Sequence, residues 1–224
     1  MRRTAFMMAA VLLTVTLAGC GSDADETAGA RALQAVAQSA VSRRAAPQPG
    51  AFATPPGLTR ALLATLGAPV ELITIEATGA TGLVEKVGQN RGVETWVSAD
   101  DKTVSWRDGI ILATRGFGPD LMAAEAPTAA QVAAGGSWER VHVGLDGLDQ
   151  TVRARYQCRA VRAGVARIVI VERAHDTIQM RESCVGMGTR FENEYWFDRG
   201  SVLRASRQWI NPTLGHLAIR RLSN

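Results

Sequence analysis

The feature that most constrains the fold is a long series of short apolar or alternating runs, which begins after Gly67 and continues through the rest of the chain. Turn-forming residues separate these runs, and the pairs Asp108-Gly109 and Asp146-Gly147 are strong signals for β-hairpins. Runs of this length between such signals are typical of antiparallel sheets. The predicted strands cover residues 70–77, 83–87, 93–98, 103–107, 110–114, 138–145, 151–161, 165–173, 176–184, 190–197, 201–209 and 216–222.

Alternation is clearest in residues 151–161, where apolar and polar side chains follow each other step by step. This pattern puts Tyr156 and Cys158 on one face of the strand, and Arg153 and Arg155 on the other. The first face is predicted to be buried and the second to meet water. Arginines on the outward face are unsuited to an outer-membrane barrel, whose lipid-facing positions are apolar.

A sheet of about a dozen strands tends to curl or close, because closure hides its unpaired edges. We therefore predict an all-β fold, an antiparallel meander curled into a barrel or half-barrel. Short helices are expected near the N-terminus, in residues 56–67, and after a Thr-Arg-Gly corner at residues 114–116. Within the second region, residues 120–134 have a helical pattern that opens at Pro119-Asp120.

The first twenty residues have the layout of a bacterial export signal. Arg2 and Arg3 precede an apolar stretch, residues 6–17, that is shorter than the roughly 20 residues needed to span a bilayer. The stretch ends in Leu17-Ala18-Gly19-Cys20, which resembles the lipobox of bacterial lipoproteins. Cleavage after residue 19 would leave Cys20 as a lipidated N-terminus that anchors the chain to a membrane. The alternative is a signal peptide that is cut elsewhere, with an incidental cysteine.

Composition shifts predict the organisation of the chain. Residues 1–19 are the predicted signal peptide, residues 20–56 a flexible linker, and residues 57–224 a single β-rich periplasmic domain. Gly21 follows the cysteine, and the absence of Asp there favours the outer membrane by the sorting rule of enteric lipoproteins. The net charge is +4, and loss of the two arginines in the signal peptide leaves 4 − 2 = +2, which gives nucleic-acid binding no support.

The cysteines predict a disulfide. With Cys20 acylated, Cys158 and Cys184 are the remaining cysteines of the sequence. Export places them in an oxidising compartment, where such a pair is expected to form a structural bridge. The chain-entropy model gives this bridge about 3.5 kcal/mol of stabilisation. Two buried free thiols or a redox site are the alternatives, although the spacing is not C-x-x-C.

Familiar enzyme signatures are absent from the sequence. It contains no G-x-S-x-G, P-loop, G-x-G-x-x-G or H-E-x-x-H motif, and we predict no catalytic residue, cofactor or metal site. His142, His175 and His216 lie on separate predicted strands and would bind zinc only if the fold brought them together. Glu192 and Glu194 share one strand face and would suit a glycosidase-like carboxylate pair, but a solvated face explains them equally well.

Tryptophan is the prominent aromatic residue, with five of the twelve aromatic side chains. Trp196 and Trp209 are candidate platforms for stacking against sugar rings. Core packing is the alternative, and it is expected for at least three of the five because an indole buries a large apolar area.

A glycine-rich corner carries the remaining candidate site. Arg115, Gly116, Gly118 and Asp120 form a predicted interaction corner that would present Arg115 to a partner or to an acidic glycan. The structural alternative, which the sequence by itself favours, is that Arg115 pairs with Asp120 and locks the corner.

Around this corner the chain resembles the YjbF family, also called the group 4 capsule polysaccharide lipoprotein family. The similar runs are Thr95-Trp96, Trp106-Arg107-Asp108-Gly109, Ala113-Thr114-Arg115-Gly116, Asp120-Leu121-Met122, Asn193-Glu194-Tyr195-Trp196 and Ser206-Arg207-Gln208-Trp209. The resemblance covers most of residues 57–222 and implies a barrel-like periplasmic domain without known catalytic residues. It also implies a role in making or exporting capsule or exopolysaccharide, with an outer-membrane β-barrel protein and a soluble periplasmic export protein as partners.

The first functional hypothesis is a non-enzymatic outer-membrane lipoprotein, facing the periplasm, that supports capsule or exopolysaccharide secretion. It would act by binding or scaffolding, through contact with export partners or with the polysaccharide itself. The alternatives are a periplasmic enzyme that modifies glycans and a structural envelope lipoprotein without a glycan role.

Overall fold

The computed structural model describes residues 54–223. They form two short helices and twelve strands. The helices are α1 (Arg60–Ala64) and α2 (Ala129–Ala134), and the strands are β1 (Val70–Ile75), β2 (Ala80–Asn90), β3 (Val93–Ser98), β4 (Thr103–Arg107), β5 (Ile110–Arg115), β6 (Ala123–Glu125), β7 (Gly136–Leu145), β8 (Thr151–Ile170), β9 (Arg173–Gly186), β10 (Thr189–Asp198), β11 (Leu203–Asn211) and β12 (Gly215–Arg221).

All twelve strands belong to one sheet in the order β5-β4-β3-β2-β1-β12-β11-β10-β9-β8-β7-β6. Neighbours in the sheet are consecutive in the chain except β1 and β12, whose antiparallel pairing joins the two halves of the meander. The edge strands β5 and β6 approach each other, and the Thr114 amide donates to the Leu121 carbonyl at 2.8 Å. The sheet is therefore a nearly closed barrel, which confirms the predicted fold class.

The long hairpin of β8 and β9 differs most from the predicted strands. The predicted strands 151–161 and 165–173 are separated in sequence by the turn-like pair Ala163-Gly164, but β8 continues unbroken through both of them. A register shift between Arg162 and Gly164 takes up the extra residue as a β-bulge, so the pairing with β9 is not lost. The chain reverses instead at Val171 and Glu172, which have φ values of 41° and 66°.

Both helices are shorter than the predicted ones. Thr59 caps α1, which covers only the middle of the predicted helix. After the corner, residues 123–125 pair with β7 and form β6, because the sheet edge supplies hydrogen-bond partners that a helix would have to provide internally. The prediction of a helix from Pro119-Asp120 is therefore wrong, and α2 begins later, behind a capping box formed by Thr128 and Gln131.

The barrel wall is buried on both faces at β1. Leu72 and Ile73 are adjacent, so their side chains point to opposite sides of the sheet, and both are buried. Leu72 packs in a cluster with Ile168 from the far half of the long hairpin. Ile73 packs in another cluster with Trp96 and Trp106, which reaches from β3 and β4 to β11 and β12. The hairpin therefore covers the outside of the barrel, and the tryptophans pack inside it.

A disulfide joins Cys158 and Cys184, which are directly opposed on β8 and β9, in agreement with the expectation from sequence. The bridge lies in a buried cluster with Tyr156 and Phe191. The predicted signal peptide, Cys20 and nearly all of the predicted linker lie outside the described residues.

Candidate functional site

A cavity of about 270 Å³ lies at one end of the barrel. Its lining comes from the starts of β1, β3 and β11 and from the ends of β4 and β12, which meet at this end because the strands are antiparallel. The lining residues are Pro69, Glu71, Lys86, Glu94, Trp96, Trp106, Asp108, Gly109, Leu203, Arg204, Ala205, Ser206, Ile219, Arg221 and Ser223.

Two stacked indoles form the aromatic wall of the cavity. The rings of Trp96 and Trp106 lie 4.9 Å apart between centroids, at an interplanar angle of 28°. Trp106 donates from Nε1 to Glu94 Oε2 at 3.1 Å. Trp96 Nε1 is also buried and faces the same carboxylate, although less well aligned than Trp106, and it helps to lower the pKa of Glu94. Both indoles of the wall therefore point their donors toward Glu94.

Glu94 is an ionised carboxylate held by its neighbours. Lys86 Nζ lies 2.5 Å from Glu94 Oε1 and also donates to Gln89. Burial opposes ionisation of Glu94, but the hydrogen bond and charge of Lys86, together with the Trp106 and Trp96 donors, hold the pKa of the carboxyl below its usual value. These contacts hold the Glu94 carboxylate in one position in the cavity wall.

Glu71 is the second carboxyl group of the cavity, and its environment is the opposite. The side chain is only 4% exposed, and it accepts hydrogen bonds from the Leu222 amide at 2.6 Å and from Ser223 Oγ at 3.1 Å. Within residues 54–223 no cation lies at ion-pair distance from it. Burial raises the pKa of Glu71 to about 7, above its ordinary value of 4.5.

Groups of both charges line the cavity. Three carboxylate side chains and three cationic side chains line it, namely Glu71, Glu94, Asp108, Lys86, Arg204 and Arg221. Arg204 is already engaged, because its Nε lies 2.7 Å from Asp198 Oδ2. A concave, partly open space with an aromatic wall and a few fixed polar groups is a common form of small-molecule site. The arrangement suits a small polar molecule.

Sequence reasoning did not select this cavity. One signal for it was present, since Glu71 interrupts the apolar run Val70-Glu71-Leu72-Ile73, and a charge inside such a run indicates a buried polar group. The convergence of Glu71 with Glu94 and Trp106 depends on the order of strands in the sheet, which has no local signature.

The predicted interaction corner is held together by its own backbone. Asp120 accepts from the Gly116 amide at 2.8 Å and from Thr114 Oγ1 at 2.7 Å. Arg115 donates instead to backbone carbonyl groups, including that of Met122 at 3.0 Å, so no Arg115–Asp120 ion pair forms in the part of the chain that the structure describes. The predicted pairing is therefore wrong, although the corner is locked.

The same corner brings β5 to β6. Gly116 and Gly118 have φ values of 84° and 98°, which favour glycine. Arg115 itself is exposed at the surface. Its geometry shows a role in closing the barrel, and a role in contacting a partner stays a prediction.

The two tryptophans predicted as stacking platforms lie outside the cavity. Trp196 is 5% exposed and packs in the core cluster that contains Ile168, which leaves its indole no open face. Trp209 is half-buried and stacks on Phe191, with 4.2 Å between ring centroids and an angle of 11°. Trp96 and Trp106 line the cavity, but each is only 3% exposed and packs in the core cluster with Ile73, so these indoles also have little open surface.

The other carboxylates and the histidines also take definite places. Glu192 is exposed beside Ser183, and Glu194 accepts a hydrogen bond from Gln179, so this pair lies on a polar strand face. No histidine of residues 54–223 belongs to a cluster of three potential metal ligands. The one such cluster within that range contains Cys158 and Cys184, whose sulfur atoms are used in the disulfide.

A buried polar network lies next to the disulfide, on β7, β9 and β10. Glu182 is fully buried and accepts from four donors: Trp138 Nε1 at 2.6 Å, Arg140 Nε at 2.7 Å, Asn193 Nδ2 at 2.8 Å and Tyr195 Oη at 2.8 Å. Burial opposes its ionisation, but the charge of Arg140 and these donors hold the pKa of Glu182 below its usual value. The Glu182 carboxylate therefore uses its acceptor positions for hydrogen bonds within the fold.

Comparison with known families settles the relationship of the chain. The family model described as "Group 4 capsule polysaccharide lipoprotein gfcB, YjbF" matches residues 30–222. The chain belongs to the YjbF family. This membership gives the protein a capsule-related role and a location in the cell envelope.

A solved structure shows the same fold. The crystal structure of the hypothetical lipoprotein YmcC from Escherichia coli (K12) aligns with a TM-score of 0.64 and 17% identity, over 71% of this chain and 85% of that chain. At this identity the likeness concerns the fold alone. No curated protein matches the sequence significantly. Within residues 54–223, neither helix has the length and apolar character needed to cross a membrane.

Proposed function

We propose that this YjbF-family protein is anchored in the outer membrane through acylated Cys20, faces the periplasm, and supports production or secretion of capsule or exopolysaccharide. It acts by binding and scaffolding. The observation that carries the proposal is the family match over residues 30–222, in a chain whose barrel holds a polar, tryptophan-lined cavity at one end. Such a rigid barrel can present a binding site without any moving part.

The anchor follows from the sequence Leu17-Ala18-Gly19-Cys20. Each buried methylene of an acyl chain contributes about 0.8 kcal/mol, and one chain alone binds a membrane only marginally. The two or three chains of a bacterial lipoprotein therefore give a stable anchor. The predicted linker, residues 20–56, would let the barrel reach away from the membrane.

The proposed protein partners are an outer-membrane β-barrel protein and a soluble periplasmic export protein. Exposed apolar side chains on the long hairpin support a contact of this kind. Val165 and Val169 share one face of β8, and Val161 and Val185 lie on the other face of the hairpin. Apolar groups exposed together on a polar surface commonly mark protein interaction sites.

Gene deletion with complementation tests the proposal. The deletion strain should secrete less polymer, the wild-type gene should restore it, and a Cys20→Ala gene should not, because the barrel is no longer held at the membrane. Ser22→Ala is the matched control and should restore secretion. Unchanged polymer yield and composition in the deletion strain would contradict the proposal and favour a structural envelope role without glycans.

A second candidate function, glycan modification, has one observation in its favour. Glu71 and Glu94 line the same cavity, and their environments move their pKa values in opposite directions. Such a pair is the usual arrangement for an acid and a base in glycan chemistry. Incubation of the purified protein with isolated polymer, followed by a reducing-end assay, tests this function, and absence of turnover by the wild type would exclude it.

A further inference from the structure

Three cationic side chains line the barrel-end cavity, and two of them are neutralised by carboxylates. Lys86 Nζ lies 2.5 Å from Glu94 Oε1, and Arg204 Nε lies 2.7 Å from Asp198 Oδ2. Within residues 54–223, Arg221 has no acidic side chain at ion-pair distance. The lining therefore includes a positive charge that these residues leave without a counter-ion.

The register of the sheet surrounds this charge with one carboxyl group and one further cation. Arg221 on β12 pairs with Glu71 on β1. On the other side of β12, Ala205 pairs with Arg220, which puts Arg204 of β11 beside Arg221. Like charges on directly opposed positions of neighbouring strands destabilise a sheet, and an anion bound between them offsets the repulsion.

The guanidinium group of Arg221 has unused donors. The residue is half-buried, and its Nε donates to Ser223 Oγ at 3.3 Å. Its two terminal nitrogens make no hydrogen bond within the part of the chain that the structure describes. A guanidinium group binds a carboxylate through two parallel N–H donors, and partial burial strengthens such a pair relative to one in open water. Arg221 therefore suits a carboxylate that enters the cavity.

The carboxyl groups of the cavity decide whether an anion is tolerated. Glu94 is neutralised by Lys86, and Asp108 lies in an exposed turn, where solvent and salt screen its charge. Glu71 is buried, and burial raises its pKa to about 7, so it is partly protonated at neutral pH. An anion at Arg221 opposes the charged form of Glu71 and favours the protonated form.

The charged side chains around Glu71 come from several elements of the barrel. They are Arg60 of α1, Lys86 of β2, Glu94 of β3, Asp108 after β4, Arg204 of β11 and Arg221 of β12. Side chains of these types ordinarily titrate well away from pH 7. Glu71 is therefore the group of the cavity that is expected to change its charge near neutral pH.

From these observations we propose that the cavity binds one carboxylate-bearing residue, a uronic acid, with Arg221 as its counter-ion and with uptake of a proton by Glu71. This deepens the proposed function, on which it rests for the identification of that residue with an acidic unit of capsule or exopolysaccharide. At about 270 Å³ the cavity admits one ring with its substituents, and its open side lets a chain continue outward.

Titration followed by saturation-transfer NMR tests the charge of the ligand on the full-length lipidated protein in detergent. The probes are glucuronate, galacturonate and oligosaccharides from mild hydrolysis of the host's polymer. At least one of them should bind saturably near pH 6, with a Kd on the order of 1 mM for a single ring. The methyl ester of the same uronate keeps the ring and loses the charge, so it should bind about tenfold more weakly or not at all.

The pH dependence of binding tests the part of Glu71. Between about pH 6 and about pH 8 the protonated fraction of Glu71 falls about tenfold, and the affinity of the wild type should fall by the same factor. Glu71→Gln should give Kd values at the two pH values that agree within about twofold. Glu192→Gln makes the same change at an exposed position and should keep the tenfold fall. Calorimetry in buffers of different ionisation enthalpy should detect uptake of about one proton at pH 8 by the wild type.

A second pair of variants locates the counter-ion. Arg221→Gln removes the positive charge and should weaken uronate binding by about tenfold or more. Arg159→Gln makes the same change at an exposed position outside the cavity and should leave the Kd within about twofold. Circular dichroism and Tm show whether each variant is folded, and the ester and pH comparisons on the wild type need no variant.

The outcomes separate this proposal from the proposed function. Absence of saturable binding by the uronates and the oligosaccharides overturns the carboxylate site, even if gene deletion still lowers secretion. Equal binding of the methyl ester overturns the part of Arg221, and a wild-type affinity that does not change with pH overturns the part of Glu71. Tighter binding of inorganic sulfate than of either uronate overturns the assignment to a carboxylate. Uronate binding together with unchanged secretion in the deletion strain supports the site and contradicts the proposed function.

Discussion

Two buried carboxyl groups in the same barrel have opposite environments. Glu182 accepts four hydrogen bonds and forms an ion pair with Arg140, whereas Glu71 accepts two hydrogen bonds and has no cation at ion-pair distance within residues 54–223. The pKa of Glu182 is held below its usual value, and the pKa of Glu71 is raised to about 7. The first group is fully used by the fold, and the second retains capacity for a ligand.

Removal of the Arg140 side chain should have the largest effect on stability. Arg140→Ala leaves the buried Glu182 carboxylate without its counter-charge and also removes the donor to Tyr195 Oη. Breaking one side of a buried pair costs about 3–5 kcal/mol. Urea unfolding measures the loss, and Arg155→Ala, at an exposed ion pair with Glu139, is the matched control with an expected loss of about 0–1 kcal/mol. Similar losses for both variants would contradict the distinction.

Loss of the disulfide should destabilise the same side of the barrel. The double variant Cys158→Ala/Cys184→Ala opens a loop with a sequence separation of 26 residues, for which we expect a loss of about 3.5 kcal/mol. Thermal unfolding of oxidised and reduced wild type provides an independent measure, and both experiments should agree. A Tm that is insensitive to reductant would show that the bridge adds nothing to the fold.

The pH dependence of stability should identify Glu71. Its pKa is about 7 in the folded protein and near the ordinary 4.5 in the unfolded chain. Between these values the folded state binds more protons, so the stabilisation from this group is complete below pH 4.5 and is lost as the pH rises to 7, by about 3 kcal/mol. Glu71→Gln should abolish this loss, which urea unfolding between pH 4.5 and 7.5 measures on both proteins. Identical pH profiles would refute the assignment.

Glu182 provides the internal contrast for that measurement. Because its pKa is lowered in the folded state, its contribution is present above the ordinary value of 4.5 and is lost as the pH falls below it. The two buried carboxyl groups therefore affect stability in opposite directions across the acidic range.

The corner that closes the barrel should show the smallest effect. Asp120→Ala removes the acceptor for the Gly116 amide and for Thr114 Oγ1, at a partly exposed position where water can replace the lost partner. We expect a loss of about 1–2 kcal/mol. Hydrogen exchange of the Thr114 amide, which bonds to Leu121, should rise with little change in β9. Equal acceleration in β9 would mean that the edge and the far side unfold as one unit.

The strands on either side of short turns could be predicted from sequence because their signals are local. The alternation around Tyr156 predicts the strand in which it occurs, and the Asp108-Gly109 pair predicts the turn that these two residues form. The break predicted near Gly164 was wrong for the same reason, since a turn-like dipeptide has the same local pattern as a β-bulge when a partner strand continues beside it.

The sequence by itself determined the antiparallel meander, the pairing of Cys158 with Cys184 and the membership of the YjbF family, because each depends on short patterns or on counts. Only the tertiary structure decided that Glu71 lies beside the residues of β3 and β4 in one cavity, and that β5 meets β6 at the Arg115 corner. The physical reason is that the cavity needs the inward curl of β1 to β4, and that both the cavity and the closure at Arg115 need the pairing of β1 with β12, which joins residues such as Glu71 and Arg221 that are far apart in the chain. No local preference encodes that closure, which follows from burial of the whole barrel interior.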